Sequence, residues 1–234
     1  VLSLPCLTTD AEGKEVALWE HKHTVEELHH LAEVSPFVFQ TQYQQNPQPL
    51  EGLMYPAFKE YDTLPIGKGV ARNYTDTADT GADFLCSINY IEYPEGLYVT
   101  NVLYTNKPME FTEVETAKML DRDKVAQARI ESNNGGRGFA RALQRLLPRV
   151  HIEWFHQSGN KEARILSNSA TLLHNLRMPR GWNIRWPEFY SHLTTYRRLF
   201  RANRHDDAAD ALTGIIEREV TAPSNSRWQR ARFI

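Results

Sequence analysis

The chain has 234 residues, of which 41% are hydrophobic and 24% charged, with a formal net charge of -2. That length supports one large domain or one domain with an appendage, and the near-neutral balance excludes a uniformly basic nucleic-acid coat while permitting basic faces beside an acidic pocket. Cys6 and Cys86 are the only cysteines, which indicates neither a disulfide framework nor a thiolate zinc site and fits a reducing setting; no stretch approaches the ~20 apolar residues that span a bilayer.

Val1-Leu2-Ser3-Leu4-Pro5 lacks both an initiating Met and a signal-peptide pattern and reads as the interior of a longer protein. Residues 1–60 read as a connector punctuated by Pro5, Pro36, Pro47, Pro49 and Pro56. One helix is expected from Thr24 to about Glu33, where Thr24 and Glu27 have capping-box spacing and Val25, Leu28, Leu31 and Ala32 supply an apolar stripe. The nearby His21, His23, His29 and His30 lack metal-ligand spacing and read as solvated surface.

The texture changes at Val70. Val70 to Thr77, Asp83 to Tyr93 and Leu97 to Tyr104 are rich in β-branched and aromatic residues, and Pro94-Glu95-Gly96 is a tight-turn signal, so a three-stranded meander is expected. Then come a helix at Glu110 to Leu120, a strand at Val125 to Glu131, a helix after Gly135-Gly136 and a strand at Val150 to Phe155. Helices near Lys161 to Leu176, Glu188 to Phe200 and Asp207 to Glu219 complete the order. Strands alternating with helices imply parallel crossovers. Trp154, Trp182, Trp186, Phe155 and Phe189 read as core, and the segment from Thr221, with Arg227, Arg230 and Arg232, as a flexible basic tail.

Three places carry acids where packing alone does not ask for them. Asp76 lies in a strand, where an apolar or neutral residue is usual, whereas Asp79 before Thr80-Gly81 reads as a turn aspartate. Glu131 ends a strand and is followed by Ser132-Asn133-Asn134-Gly135-Gly136; sites in open α/β sheets lie beyond such strand ends. In His205-Asp206-Asp207-Ala208-Ala209-Asp210-Ala211-Leu212, Asp206 and Asp207 both lie near Asp210 on a helix, and like charges at that spacing repel. Asp206 reads as a helix cap or surface residue. Asp76, Glu131, Asp207 and Asp210 could converge on two hard cations, for which oxygen-only ligation suits Mg²⁺ or Mn²⁺. Two such ions can activate water on one side of a phosphate and stabilise the leaving oxygen on the other, so phosphodiester hydrolysis is the implied chemistry.

This element order resembles the RNase H-like nuclease fold, also seen in Holliday-junction resolvases: a mixed α/β sheet of about five strands, an antiparallel meander plus parallel strands, flanked by helices. Phe39 to Pro47, Tyr74-Thr75-Asp76-Thr77-Ala78, Ile130 to Gly136, Asn160 to Ile165 and His205 to Leu212 are similar to segments of the large terminase subunit of tailed bacteriophages, over about residues 16–219. The resemblance implies an ATPase motor region followed by a metal-dependent endonuclease that cuts concatemeric double-stranded viral DNA, working in the host cytoplasm with a small terminase subunit and a portal and without a membrane. No Walker A sequence is present, so the expected parts are residues 1–60 as the end of the ATPase side, 61–220 as the nuclease and 221–234 as the tail. It further implies Asp76, Glu131 and Asp210 as catalytic metal-binding acids for two ions, with Asp207 a fourth ligand or accessory. A non-catalytic DNA-clamp or portal-docking module and a junction-resolving nuclease are the competing readings.

For DNA contact, Arg137, Arg141, Arg145 and Arg149 recur at steps of four, opposite the core-facing Phe139, Leu143, Leu146 and Leu147. Lys161 and Arg164, singled out by the resemblance, could touch the scissile strand or temper repulsion among the acids. Arg197, Arg198, Arg201 and Arg204 form another basic cluster. No groove-reading motif is present, so cutting with little sequence specificity is expected.

Overall fold

A computed structural model describes residues 3–34, 39–46, 52–78, 83–133 and 135–221. Pro36, Pro47, Pro49, Asp79, Asn134 and the tail arginines lie outside the described residues. Seven strands form the main sheet in the order β3-β9-β6-β5-β4-β7-β8: β3 (Lys59–Tyr61), β4 (Val70–Asp76), β5 (Leu85–Tyr93), β6 (Gly96–Thr105), β7 (Gln127–Glu131), β8 (His151–Phe155) and β9 (Leu176–Pro179). β4, β5 and β6 are the antiparallel meander, and β7 and β8 continue it in parallel beside β4. This is the expected RNase H-like arrangement, widened at one edge by β9 and β3, which run parallel to β6 and to each other. β9 replaces what reads in sequence as the end of a helix: α4 (Lys161–Asn175) stops at Asn175, and the apolar Leu176 and Met178 point into the core.

Helices cover both faces. α2 (Met109–Arg122) and α3 (Gly136–Leu146) bury Ala117, Leu120, Phe139, Ala140 and Leu143 against Ala128, Ile130 and Ile152. On the other face α4, the short α5 (Trp182–Arg185), α6 (Pro187–Thr194) and α7 (Asp207–Ile216) pack on Tyr74, Cys86, Ile88, Tyr90 and Val99. Alternation along the strands separates the two cores. Between α6 and α7 the chain leaves the helix that Glu188 to Phe200 suggests, and only a 3-10 turn at Phe200–Ala202 interrupts the loop.

A polar ladder runs through the sheet beneath α2. Asn73 Nδ2 donates to Ser87 Oγ at 2.9 Å and to Asn89 Oδ1 at 2.8 Å, Thr75 and Ser87 share a bond of 2.7 Å, and Asn89 and Asn101 both donate to Asp123 Oδ2, at 2.8 and 2.9 Å. Buried polar groups are tolerated when partnered in this way.

Residues 3–34 and 39–46 form a small unit. β1 (Leu7–Thr9) pairs with β2 (Glu15–Ala17), α1 (Val25–Val34) follows with the expected Thr24–Glu27 capping box, and a wide turn at Phe39–Tyr43 ties back through Cys6 N–H to Tyr43 O at 2.8 Å. His29 pairs with Glu15 at 2.8 Å on the exposed surface. Met54 and Tyr55, by contrast, are part of the main core. Of the aromatics read as core, Trp182 and Phe189 are buried and Phe155 and Trp186 partly so, but Trp154 is 40% exposed because β8 is an edge strand. No described helix is long and apolar enough to cross a membrane.

Candidate active site

Three elements bring the acids together. β4 and β7 are parallel with Thr75 opposite Ile130, so one residue further on Asp76 and Glu131 stand level at the carboxyl ends of neighbouring strands. Both share a face with Tyr74 and Arg129, and that face lies under α7. All of α7 is buried, and its Ala208, Ala209 and Ala211 let it approach the sheet closely. Asp207 and Asp210 are therefore only 7% and 3% exposed, and Glu131 is 3% exposed.

Two glycines make the approach possible. A Cβ on Gly214 would lie 2.0 Å from Tyr74 Oη, so α7 rests directly on the tyrosine ring. A Cβ on Gly136 would lie 1.9 Å from the Glu131 carbonyl oxygen, and Gly135 takes φ 92°, a left-handed conformation. The paired glycines thus let α3 start immediately beside Glu131.

The carboxylates are held by named partners. Tyr74 Oη donates to Glu131 Oε1 in a short hydrogen bond, and Thr77 Oγ1 donates to the Glu131 carbonyl at 3.2 Å. Lys161 Nζ lies 2.9 Å from Asp206 Oδ1 and 3.2 Å from Asp210 Oδ2. Arg164 Nη1 donates to Asp210 Oδ1 at 3.0 Å, while its Nη2 and Nε reach Glu217 Oε2 and Oε1 at 2.7 and 3.0 Å. Gln157 Nε2 also donates to Glu217, at 3.1 Å.

Burial and mutual repulsion both favour protonated acids here. Burial pushes the Asp76 carboxyl well above its usual range, reinforced by Glu131, Asp210 and Asp207 and opposed by Lys161. Glu131 is raised by burial and by Asp210, although the Tyr74 bond, Arg164 and Lys161 pull the other way. Asp207 is pushed up to about 6, chiefly by burial, with Asp206 adding to the rise and Lys161 and a Phe84 backbone N–H opposing it. Lys161 and Arg164 resist burial because Asp210, Asp206 and Glu217 hold them charged.

Asp76, Glu131, Asp207 and Asp210 therefore interact as one group, as their sequence positions suggest. Of the two readings of Asp206, the cap is not seen and the surface one is: at the start of α7 its side chain makes no cap, is partly exposed and takes Lys161. Among the described residues no three His, Cys, Asp or Glu side chains are gathered around one point; both oxygens of Asp210 are instead engaged by Lys161 and Arg164. Arg137, Arg141 and Arg145 are exposed on α3, which begins at the acids and runs away from them toward α2, where Arg145 faces Glu113.

Sequence reasoning missed Glu217 and Tyr74. Glu217 lies seven residues after Asp210, about two helical turns, and so on the same face. Tyr74 lies two residues before Asp76, on the same side of a strand.

By donor chemistry the acids suit a hard divalent cation, offering carboxylate oxygens only, and burial with mutual repulsion makes them hold their protons to higher pH when no compensating charge is added. No protein-family model and no curated protein matches the chain. Solved structures do. The large terminase from a thermophilic bacteriophage, in complex with ATP-gamma-S, superposes with a TM-score of 0.62 at 14% identity, over 84% of this chain and 53% of that one. Its complex with ADP gives 0.60 at 12% identity, over 85% and 53%, and a further crystal form gives 0.60 at 14%, over 84% and 52%. This chain spans about half the length of those structures. At such identities the likeness establishes architecture alone: the chain shares the fold of about half of those large terminase structures.

Proposed function

We propose that this chain is the divalent-metal-dependent endonuclease part of a viral DNA-packaging terminase, cutting double-stranded DNA with little sequence specificity. The observation that carries this reading is the level placement of Asp76 and Glu131 at adjacent strand ends beneath Asp207 and Asp210 on a buried helix. Four buried or half-buried acids with two shared cations of the protein leave a negative excess that a cation would balance.

Asp76, Glu131 and Asp210 would hold the ions, with Asp207 as a fourth acid. Bound there, Mg²⁺ or Mn²⁺ would supply Lewis-acid activation of water and charge neutralisation at the phosphate. The chain's own residues set the stage. Tyr74 fixes one oxygen of Glu131 and leaves the other open. Arg164, anchored on Glu217, holds Asp210 in place, while Lys161 bridges Asp206 and Asp210. Arg137, Arg141 and Arg145 would follow the backbone beyond the acids.

In this reading residues 61–220 are the nuclease body, residues 1–60 lead from an ATPase region, and the protein works in the host cytoplasm with the small terminase subunit and portal. Purified protein should nick or linearise plasmid with Mn²⁺ or Mg²⁺ and be inert in EDTA. If Asp76→Ala and Asp210→Ala each cut as well as the wild type, the assignment is wrong. Metal-independent DNA binding without cleavage, surviving loss of the acids, would instead identify a clamp, and preference for four-way junctions over linear duplex a resolvase.

Two further outcomes concern the acids. Because ligation needs deprotonated carboxylates, Mn²⁺ affinity measured by calorimetry should rise with pH through about 6, where Asp207 titrates in the free protein. Tyr74→Phe removes the bond that lowers the Glu131 value, so the acid limb of the cleavage profile should move to higher pH while far-ultraviolet circular dichroism stays unchanged.

A further inference from the structure

A cavity of about 330 Å³ opens beside the start of α7, lined by His192, Tyr196, Arg197, Asn203, Arg204 and His205 among others. No Asp or Glu is among its described lining residues, and neither Arg197 nor Arg204 forms an ion pair with a described carboxylate. Lys161 and Arg164 are paired with acids, whereas Arg197 and Arg204 line this recess with exposed side chains.

Hydrogen bonds and stacked rings frame the recess. Arg197 N–H donates to Asn203 Oδ1 at 2.7 Å and Asn203 Nδ2 returns a bond to Arg197 O at 2.8 Å, closing the loop on itself. Its base is sewn to the segment before β3, with Met54 N–H to Tyr196 O at 2.8 Å and Arg198 N–H to Gly52 O at 3.1 Å. On the other wall the rings of His192 and His205 stack at 4.5 Å and 9°, and Tyr104 Oη bonds His192 Nδ1 at 2.8 Å. His205 leads directly into Asp206 and Asp207, so the pocket and the acid cluster share a wall.

We propose that this pocket seats a backbone phosphate of the DNA strand flanking the cleavage point, with Arg197 and Arg204 as its guanidinium ligands and Asn203 positioning the loop. This inference rests on the nuclease reading for its place in the reaction. Guanidinium groups suit phosphate oxygens because their planar forks donate two parallel bonds, and a phosphate so held would fix the register of the duplex relative to the acids without reading sequence.

The test is anisotropy of a short labelled duplex with the full chain in Ca²⁺ across a salt series. Arg197→Ala/Arg204→Ala should bind about tenfold more weakly, the loss of a charge-assisted contact, and lower the slope of log affinity against log salt by about 1. The Mn²⁺-induced rise in Tm should be unchanged, and Arg197→Lys/Arg204→Lys, which keeps the charge but not the fork, should restore the salt slope and only part of the affinity. The control is Arg180→Ala/Arg185→Ala, the same charge change at exposed positions near β9. Wild-type affinity and slope in the alanine pair, or an equal loss in the control pair, overturns the subsite. Cleavage that survives Asp76→Asn, together with affinity still lost in the alanine pair, overturns the nuclease reading and leaves the phosphate pocket standing.

Discussion

Asp76→Asn is expected to raise the thermal stability of the metal-free protein while abolishing DNA cleavage. In the folded chain burial and the neighbouring Glu131, Asp210 and Asp207 hold the Asp76 carboxyl above its usual range, and Asp207 is displaced in the same direction. Because the folded values exceed the unfolded ones, the folded form binds more protons in the window between them. Stability is therefore fully present below about pH 4 and falls as pH rises through the folded values. For Asp207, moved from 3.8 to about 6, the penalty at pH 8 is about 3 kcal/mol. An amide carries no such penalty, so Asp207→Asn should gain up to ~6–12 °C in Tm in EDTA, and Asp76→Asn should shift the same way. Cleavage should fall by about 10³-fold or more in Asp76→Asn, because several kcal/mol of charge stabilisation go with the ligand. Calorimetry with and without Mn²⁺ separates the two effects: the ion should stabilise the wild type strongly and Asp76→Asn little. A less stable Asp76→Asn that still cuts DNA would contradict both halves.

Gly214→Ala should be among the most damaging single substitutions in the chain. Its methyl group would fall 2.0 Å from Tyr74 Oη, and neither side can yield. The ring is fully buried and its hydroxyl is bonded to Glu131, while α7 is packed along its whole length. Lifting α7 off the sheet would separate Asp207 and Asp210 from Asp76 and Glu131, so stability and cleavage should fail together. A cost of about 3 kcal/mol or more is expected, or a Tm lower by ~6–12 °C. The double variant Gly214→Ala/Tyr74→Phe should recover little, because the ring carbon that bears the hydroxyl lies 2.1 Å from the added methyl and stays in place. A Gly214→Ala protein with wild-type Tm would show that α7 does not bear on Tyr74.

The strands of the meander and of the parallel pair were legible because β-branched and aromatic runs bounded by turn residues leave few alternatives. Asp76, Glu131, Asp207 and Asp210 stood out because each is an acid where packing favours something else. β9 was hidden: Leu176-Arg177-Met178-Pro179 continues an apolar helical pattern, and only its pairing with β6 and β3 makes it a strand. Lys161 and Arg164 were legible as residues that either touch the scissile strand or temper the acids, but not as partners of Asp210 in particular, since charge pairing across more than forty residues leaves no local trace. Trp154 followed the general habit of large aromatics, which an edge strand overrides.

The polar ladder from Thr75 through Ser87, Asn73 and Asn89 to Asp123 bears on how the chain avoids misfolding. A strand that slips by one residue turns every side chain to the opposite face. Were β4 to slip against β5, Asn73 and Thr75 would face Tyr90 and Ile88 with their amide and hydroxyl groups unmatched. Asp76 would enter the layer under α2 and α3. A purely apolar interior could absorb such an error at modest cost, whereas orphaned amides in a dry layer make it prohibitive. The ladder thus penalises a one-residue slip of β4 against β5 and so helps keep Asp76 on the face it shares with Tyr74.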